Sequence, residues 1–276
     1  GERRVFDSPL AESMIAGLAV GMSLQGLKPV AEFQFMGFIY PAMNQIISHA
    51  ARMRNRTRGR LNCPLVFRAP FGGGIRAPEH HSESTEALFA HVPGLQVVIP
   101  SSPKRAYGLL LAAMRNPDPV IFLEPKRIYR LVKQPVADDG IALPLGQCFT
   151  LQEGEDVTLI SWGASMHETM QAAKQLTEEG IACDVIDVAT IKPLDIETIL
   201  SSVEKTGRCV IVHEGAKTCG VGAEISAQIM ENCMSDLLAP VQRVTGYDIV
   251  MPYFQLEKHY LPSVARIKAS VMSLME

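Results

Sequence analysis

The residues best suited to chemistry lie in one loop in the first third of the chain. A run of three glycines, Gly72, Gly73 and Gly74, follows an apolar segment predicted to be a strand, and two adjacent histidines, His80 and His81, come shortly after it. Open α/β sheets bind ligands beyond the carboxyl ends of their strands, and consecutive glycines cost backbone entropy that a simple turn does not require. Neighbouring histidines are poorly placed to share one metal ion, whereas a histidine titrates near neutrality and suits proton transfer. Ordinary hydrogen bonds made by two loop histidines remain the alternative.

One acidic residue, Glu12, stands in the first turn of an otherwise apolar helix predicted over 10–25. The helix dipole favours a carboxylate at this position, and Ser8 could cap the helix. The pattern alone therefore explains Glu12 as a structural residue at least as well as a chemical one.

Three other patterns are weaker. Gly220-Val221-Gly222 lies between a predicted strand and helix but lacks the third glycine of a dinucleotide fingerprint, so it indicates a tight turn. Trp162 and His213 are interpreted as packing residues. Arginines alternate with other residues over 52–60, but the chain is not basic, which favours solvated positions or a subunit contact over nucleic-acid binding.

Two α/β halves must position these residues. Short β-branched segments alternate with helix-forming segments, which is the pattern of mostly parallel sheets. The first half is predicted to have strands at 29–35, 65–68, 95–99 and 120–123, and helices at 10–25, 41–55, 83–90 and 103–114. The second half is predicted to have strands at 157–162, 183–188, 209–213 and 241–245, and helices at 165–179, 195–204 and 222–234. Residues 126–144 lack this periodicity and are predicted to connect the halves.

Composition excludes several classes of protein. The 276 residues are 47% hydrophobic and 20% charged with a net charge of −3, which argues against a disordered chain and against a non-specific nucleic-acid binder. No apolar run approaches the roughly 18 residues that span a bilayer. Six scattered cysteines without a C-x-x-C pair favour reduced thiols and a cytoplasmic location over a disulfide framework or zinc site.

Five motifs occur together in order. They are Asp7-Ser8-Pro9-Leu10-Ala11-Glu12, Glu32-Phe33-Gln34-Phe35 with Gly37-Phe38, Pro78-Glu79-His80-His81-Ser82, Phe122-Leu123-Glu124-Pro125-Lys126 and Thr190-Ile191-Lys192-Pro193-Leu194-Asp195. This combination resembles the beta subunit of the thiamine-diphosphate-dependent 2-oxo acid dehydrogenases, of the heterotetrameric pyruvate and branched-chain types. The resemblance covers essentially the whole chain. It implies a pyrimidine-binding α/β domain at 1–130, a linker at 131–145 and a transketolase C-terminal-like α/β domain at 146–276.

The resemblance also assigns roles to individual residues. Glu12 matches the glutamate that hydrogen-bonds N1′ of the cofactor's aminopyrimidine and so activates the thiazolium carbon. Phe38 matches an aromatic position that packs on the pyrimidine. His81 matches the histidine that serves acyl transfer to the lipoyl group of the partner acyltransferase, while the role of the neighbouring His80 stays open. Gly72, Gly73 and Gly74 would let the backbone reach the site and the lipoyl arm enter.

A missing motif implies a partner. Thiamine enzymes hold magnesium and the diphosphate through Gly-Asp-Gly followed by Asn, and this sequence has no Gly-Asp-Gly. The resemblance therefore implies an alpha subunit that holds Mg²⁺ and the diphosphate, an α2β2 heterotetramer with thiamine diphosphate at the subunit interface, and a dihydrolipoyl acyltransferase core. It also implies a cytoplasmic location, or the mitochondrial matrix in a eukaryote.

Some features depart from the family. Met36 and Asn44 stand where relatives often carry aspartate, and family members have a further strand–helix region before the glutamate motif, so we expect a truncated or divergent chain. Two alternatives stay open. One is a split half of a transketolase-like or deoxyxylulose-phosphate-synthase-like enzyme, and the other is a non-catalytic docking subunit. The choice between pyruvate and a branched-chain substrate also stays open.

Overall fold

The computed structural model describes residue 1 and residues 3–276, which form two five-stranded sheets with helices packed against them. The elements before residue 130 are α1 (Glu12–Leu24), β1 (Val30–Glu32), α2 (Met53–Arg56), β2 (Val66–Phe71), α3 (Glu86–Ala90), β3 (Gln96–Val98), α4 (Pro103–Arg115) and β4 (Val120–Pro125). Those after it are β5 (Phe149–Gln152), β6 (Val157–Ser161), α5 (Ser165–Glu178), β7 (Cys183–Asp187), β8 (Thr190–Lys192), α6 (Ile196–Thr206), β9 (Cys209–Val212), α7 (Val221–Cys233), β10 (Gln242–Val244), α8 (Phe254–Tyr260) and α9 (Val264–Met275).

The two sheets share a plan. The first has the strand order β1-β2-β4-β3-β8 and the second β10-β9-β6-β7-β5. In each sheet four strands are parallel and the last edge strand is antiparallel. Strands β6, β7 and β9 are buried at every residue, which is why apolar residues predominate on both of their faces and do not alternate with exposed polar ones.

The halves are joined by more than the connecting segment. Strand β8 belongs to the second half in sequence but pairs with β3 in the first sheet. One apolar cluster also runs from Ala16 and Phe67 to Trp162 and Ile225. Burying this shared apolar surface holds the two halves together.

Several sequence predictions differ from the structure. The helix predicted over 41–55 is instead a 3₁₀ turn (Tyr40–Ala42), a π-helical turn (Gln45–Ala50) and α2. Pro41 lacks a backbone N–H, and the β-branched pair Ile46-Ile47 is disfavoured in a regular α-helix. Strands β5 and β8 and helices α8 and α9 were not predicted. Strand β8 has only three residues, and its partner is almost a hundred residues away in the chain.

Residues 130–148, which include most of the connecting segment, contain no helix or strand, and Lys126–Tyr129 form a 3₁₀ turn. The linker limits at 131–145 stay a prediction. None of the helices in the described part of the chain has the length and apolar character needed to cross a membrane.

Candidate functional site

An aromatic cluster surrounds the paired histidines. After β1 the chain enters a 3₁₀ turn (Met36–Phe38), and a second 3₁₀ turn (Glu79–His81) packs against it. The imidazole of His81 stacks on the ring of Phe35, with centroids 4.0 Å apart and planes 10° apart. The ring of Phe38 meets His81 edge-on at 5.0 Å and lies 5.9 Å from the ring of His80. The structure therefore brings Phe38, His80 and His81 together.

The histidines differ in their access to solvent. His80 is exposed, and its carbonyl lies so close to Gly37 that a Cβ there would overlap it, so the two turns meet only because residue 37 is glycine. His81 is half-buried, and its Nδ1 is buried without a hydrogen-bond partner among the described residues. Buried polar atoms are usually paired, so an unpaired imidazole nitrogen beside a partly open surface is suited to a ligand.

Glu12 lies in the first turn of α1 and is half-buried. The start of this helix is attached to the turn that follows Phe38, because the hydroxyl of Ser13 donates to the carbonyl of Pro41. From the same turn the Tyr40 hydroxyl donates to Glu83 Oε2 at 2.6 Å, just beyond the histidines. Burial, followed by the hydrogen bond and charge of Glu83, raises the pKa of Tyr40, so its phenol stays protonated. No hydrogen bond or ion pair joins Glu12 to His81 among the described residues.

The three glycines contact the second half rather than the aromatic cluster. The backbone N–H of Gly73 donates to Glu214 Oε1 at 3.1 Å, and the Ser84 hydroxyl donates to the same oxygen at 2.8 Å. The N–H of Gly74 donates to Glu257 Oε1 at 2.7 Å. A Cβ on Gly72 would overlap the Glu214 carboxylate, so this residue must be glycine for the acid to approach. The predicted role of these glycines in admitting a lipoyl arm remains a prediction.

A second group of ionisable residues is buried between the sheets. Glu86 and Glu214 are 2% and 5% exposed, and burial raises the pKa of both, that of Glu86 to about 7. His213, 1% exposed, stacks on Trp162 with centroids 5.0 Å apart, and burial together with the positive charge of Arg243 lowers its pKa to about 3.

The turn at Gly220-Val221-Gly222 begins α7, as the tight-turn interpretation requires. A Cβ on Gly222 would lie 2.7 Å from His213 Nε2, so this glycine makes room for the buried imidazole. Among the arginines of 52–60, Arg54 forms an ion pair with Asp118 at 2.8 Å.

Four residues of this region are not identified by the sequence patterns. Phe35 lies within a quoted motif, but only the fold places its ring under His81. Glu86, Glu214 and Glu257 act across large separations in the chain. The position of Glu214 offers one signal, since it is the second residue after the carboxyl end of β9, where α/β proteins collect functional groups. The described residues contain no group of three or more His, Cys, Asp or Glu side chains able to hold a metal ion.

Two family profiles match the chain. The profile described as "Transketolase, pyrimidine binding domain" matches residues 1–132, and that described as "Transketolase, C-terminal domain" matches residues 146–267. Together they cover most of the chain.

Similar proteins carry consistent names. A pyruvate dehydrogenase E1 component subunit beta from Acholeplasma laidlawii is 49% identical over 274 residues, which are 99% of this chain and 84% of that protein. A 2-oxoisovalerate dehydrogenase subunit beta from Bacillus subtilis is 46% identical, covering 100% of this chain and 85% of the relative. A mitochondrial 2-oxoisovalerate dehydrogenase subunit beta from Dictyostelium discoideum is 47% identical, and the match covers 100% of this chain and 75% of that protein. Among solved structures, a split-gene transketolase described as an inactive beta4 tetramer matches with a TM-score of 0.81 and 25% identity, covering 99% of this chain and 84% of that one.

Proposed function

The chain belongs to the transketolase-like family of beta subunits of the 2-oxo acid dehydrogenase E1 component, and from this premise we propose that it forms the pyrimidine-binding half of a thiamine-diphosphate site. It is one subunit of a dehydrogenase whose relatives act on pyruvate or 2-oxoisovalerate by name. The observation that carries the proposal is the clustering of Phe38, His80 and His81 beside the turn to which the helix of Glu12 is attached.

The residues present fit an aromatic cofactor ring. Phe35 and Phe38 supply aromatic surfaces, His81 has an unpartnered Nδ1, and Glu12 supplies a half-buried carboxylate. A flat heteroaromatic ring needs such apolar faces together with a few polar groups at its edge. When bound, thiamine diphosphate supplies the electron sink for decarboxylating a 2-oxo acid.

Each side chain then has a separate task. Glu12 would hydrogen-bond the aminopyrimidine N1′ and hold the tautomer in which the neighbouring amino nitrogen acts as a base. The ring of Phe38 would pack on the pyrimidine. His81 would donate a proton during acyl transfer to a lipoyl group, and Phe35 would fix the plane of its imidazole. His80, exposed next to it, would lie on the path of the incoming arm.

The other half of the site must come from elsewhere. With no metal-binding group in the described residues and no Gly-Asp-Gly in the sequence, this chain supplies no obvious holder for Mg²⁺ or the diphosphate. We assign these ligands to an alpha subunit in an α2β2 heterotetramer, and the lipoyl acceptor to a dihydrolipoyl acyltransferase core. The six cysteines are free, which supports a reducing compartment, the cytoplasm or the mitochondrial matrix.

Replacing Glu12 by glutamine in the assembled heterotetramer tests the proposal. Decarboxylation, followed with an artificial electron acceptor, is expected to fall by at least about a hundredfold, the usual contribution of a positioned acid or base. The matched control is Glu32→Gln, which removes an exposed carboxylate on β1 and should leave the rate within about twofold.

Retention of most activity by Glu12→Gln would remove the assigned role of Glu12. A wild-type assembly with no turnover after addition of thiamine diphosphate and Mg²⁺ would instead support the non-catalytic docking alternative. Transfer from a ketose phosphate in place of 2-oxo acid decarboxylation would support the split-transketolase alternative.

A further inference from the structure

A separate cavity lies where the first half, the connecting segment and the second half meet. It is partly open to solvent, and its volume of about 270 Å³ is far more than a single water molecule needs. One wall is polar and includes Lys104 and Arg105 at the start of α4 and His167 on α5. Neither Glu12 nor the His80-His81 pair lines this cavity, so it is distinct from the site described above.

A second part of the lining is apolar. It is formed by Ile128 and Val132 of the connecting segment, Leu151 of β5, and Met166 and Met170 of α5. Methionine side chains adapt to irregular apolar groups, and a wall of this kind suits a short carbon chain.

Arg105 is held in position but makes no hydrogen bond with the protein through its Nε. Its guanidinium lies over the ring of Phe149 at 3.6 Å, and its Nε forms an ion pair with Asp187 Oδ2 at 3.7 Å, a separation too long for a hydrogen bond. That Nε is buried and has no hydrogen-bond partner among the described residues, so a ligand would reach this partly exposed guanidinium through its other two nitrogens. Guanidinium donors normally find acceptors, preferably carboxylate or phosphate oxygens.

The position of Asp187 makes Arg105 the reachable charge. Asp187 is fully buried and accepts a hydrogen bond from the Ser101 hydroxyl at 2.5 Å, whereas the side chain of Arg105 is 17% exposed. A molecule in the cavity therefore meets the guanidinium before it meets the carboxylate. Lys104, which is exposed, and His167 add further donors on the same wall.

The start of α4 also carries a polar group where an anion would be favoured. The backbone N–H of Lys104 donates to the side-chain oxygen of Gln134, at 3.1 Å, from the connecting segment. Helix N-termini attract negative charge, and at the start of α4 the neutral side-chain amide of Gln134 occupies the place that an anion would favour.

We propose that this cavity binds a small organic anion, a carboxylate or phosphate monoester with a short apolar chain, whose charged end pairs with Arg105 and Lys104 while its chain lies against Met166 and Met170. Because a bound molecule contacts both halves and the connecting segment, it would stabilise their relative arrangement by preferential binding to the folded state. The proposal concerns a site outside the one assigned to decarboxylation.

Calorimetric titration of the purified assembly tests it, with hexanoate, hexyl phosphate, inorganic phosphate and hexanol as probes. We expect hexanoate or hexyl phosphate to bind more tightly than inorganic phosphate and hexanol, because only these two carry both an anion and a chain. The tighter of the two identifies the carboxylate or the phosphate as the preferred group.

Variants locate the binding. Arg105→Gln should weaken binding of the better probe by at least about tenfold, as expected for a lost charge-assisted hydrogen bond. Lys104→Gln removes an exposed charge without disturbing the fold and should weaken it by a smaller factor. Arg130→Gln, which removes an exposed arginine of the same connecting segment outside the cavity, should leave binding unchanged.

His81→Asn should leave the affinity of the probe unchanged, because that residue belongs to the other site. Absence of binding by both amphipathic probes, or affinities that are the same in wild type, Arg105→Gln and Lys104→Gln, would overturn the proposal. Loss of binding in His81→Asn would do so too, since it would place the probe in the active site.

Discussion

Two histidines of this protein lie in similar stacks and have opposite surroundings. His81 stacks on Phe35 at 4.0 Å and 10°, and His213 stacks on Trp162 at 5.0 Å and 11°. Within the described part of the chain, His81 is half-buried and one of its nitrogens is buried without a hydrogen-bond partner, whereas His213 is 1% exposed and neither of its nitrogens has a partner. Burial and the charge of Arg243 keep His213 neutral by lowering its pKa to about 3. Stacking alone therefore does not mark a reactive histidine; access to a substrate does.

The largest expected difference between the two is in activity. His81→Asn should lower acyl transfer to a lipoyl domain by about a hundredfold or more, because it removes a positioned proton donor. Decarboxylation measured with an artificial acceptor should fall less, since Glu12 is intact. The control is His91→Asn, at an exposed histidine of the same half. Equal losses in the two assays would argue against a specific role in acyl transfer.

The buried carboxyl group of Glu86, close to His213, should make the stability of the protein depend on pH. Glu86, whose carboxylate oxygen Oε1 lies beside Gly215 and close to His213, has a folded pKa of about 7 against an ordinary value of 4.5. As pH rises from 4.5 to 7 the unfolded chain loses this proton while the folded chain keeps it, so the free energy of unfolding falls, by up to about 3 kcal/mol. Glu86→Gln should flatten that decline.

Urea unfolding at pH 5 and pH 8 measures the effect of Glu86. The control is Glu178→Gln, which replaces an exposed carboxylate at the end of α5. Its free energy of unfolding should fall between pH 5 and pH 8 by as much as that of the wild type. If the free energy of unfolding of Glu86→Gln fell as much as that of the wild type, a group other than Glu86 would cause the pH dependence.

A smaller effect is expected where the second half contacts the loop that leads to His80 and His81. Glu257 Oε1 accepts the backbone N–H groups of Gly74 at 2.7 Å and Ile75 at 3.1 Å. Glu257→Gln keeps an oxygen acceptor but loses its charge, which should cost about 1–2 kcal/mol of stability. The rate should fall by less than tenfold, because the loop is displaced rather than the histidine removed. Glu231→Gln, exposed on α7, is the matched control, and an identical unfolding midpoint in the two variants would contradict this assignment.

The smallest effect at neutral pH is expected at His213. Its imidazole makes no hydrogen bond with the residues that the structure describes, so His213→Leu should change the free energy of unfolding by no more than about 1 kcal/mol and leave the rate unchanged. In the wild type the His213 imidazole takes up a proton below about pH 6.5 when the chain is unfolded, but only near pH 3 when it is folded. The free energy of unfolding therefore falls as pH falls between these values. The leucine variant should resist acid better in urea unfolding at pH 4. A large loss of activity would give His213 a role in the reaction.

Most regular elements could be predicted because their signals are local. Helix α4 follows Ser102, whose hydroxyl accepts the N–H of Arg105, and α6 starts after Asp195, which accepts that of Thr198. Gly207, in the left-handed region at φ 65°, ends α6. The short edge strands and the last two helices escaped prediction. A three-residue strand carries too little periodicity, and its partner is set by the fold.

The sequence by itself determined the family, the two-halved α/β plan and the residue types at the candidate site, since motifs such as Pro78-Glu79-His80-His81 and the caps of the helices are written in neighbouring residues. Tertiary structure decided which side chains meet. Four contacts illustrate this, each between residues that are 46 to 183 positions apart in the sequence. They are Phe35 with His81, Gly73 with Glu214, Gly74 with Glu257, and Arg105 with Asp187. The pKa values of Glu86 and His213 depend in the same way on burial, which no local pattern specifies because it results from packing the two sheets together.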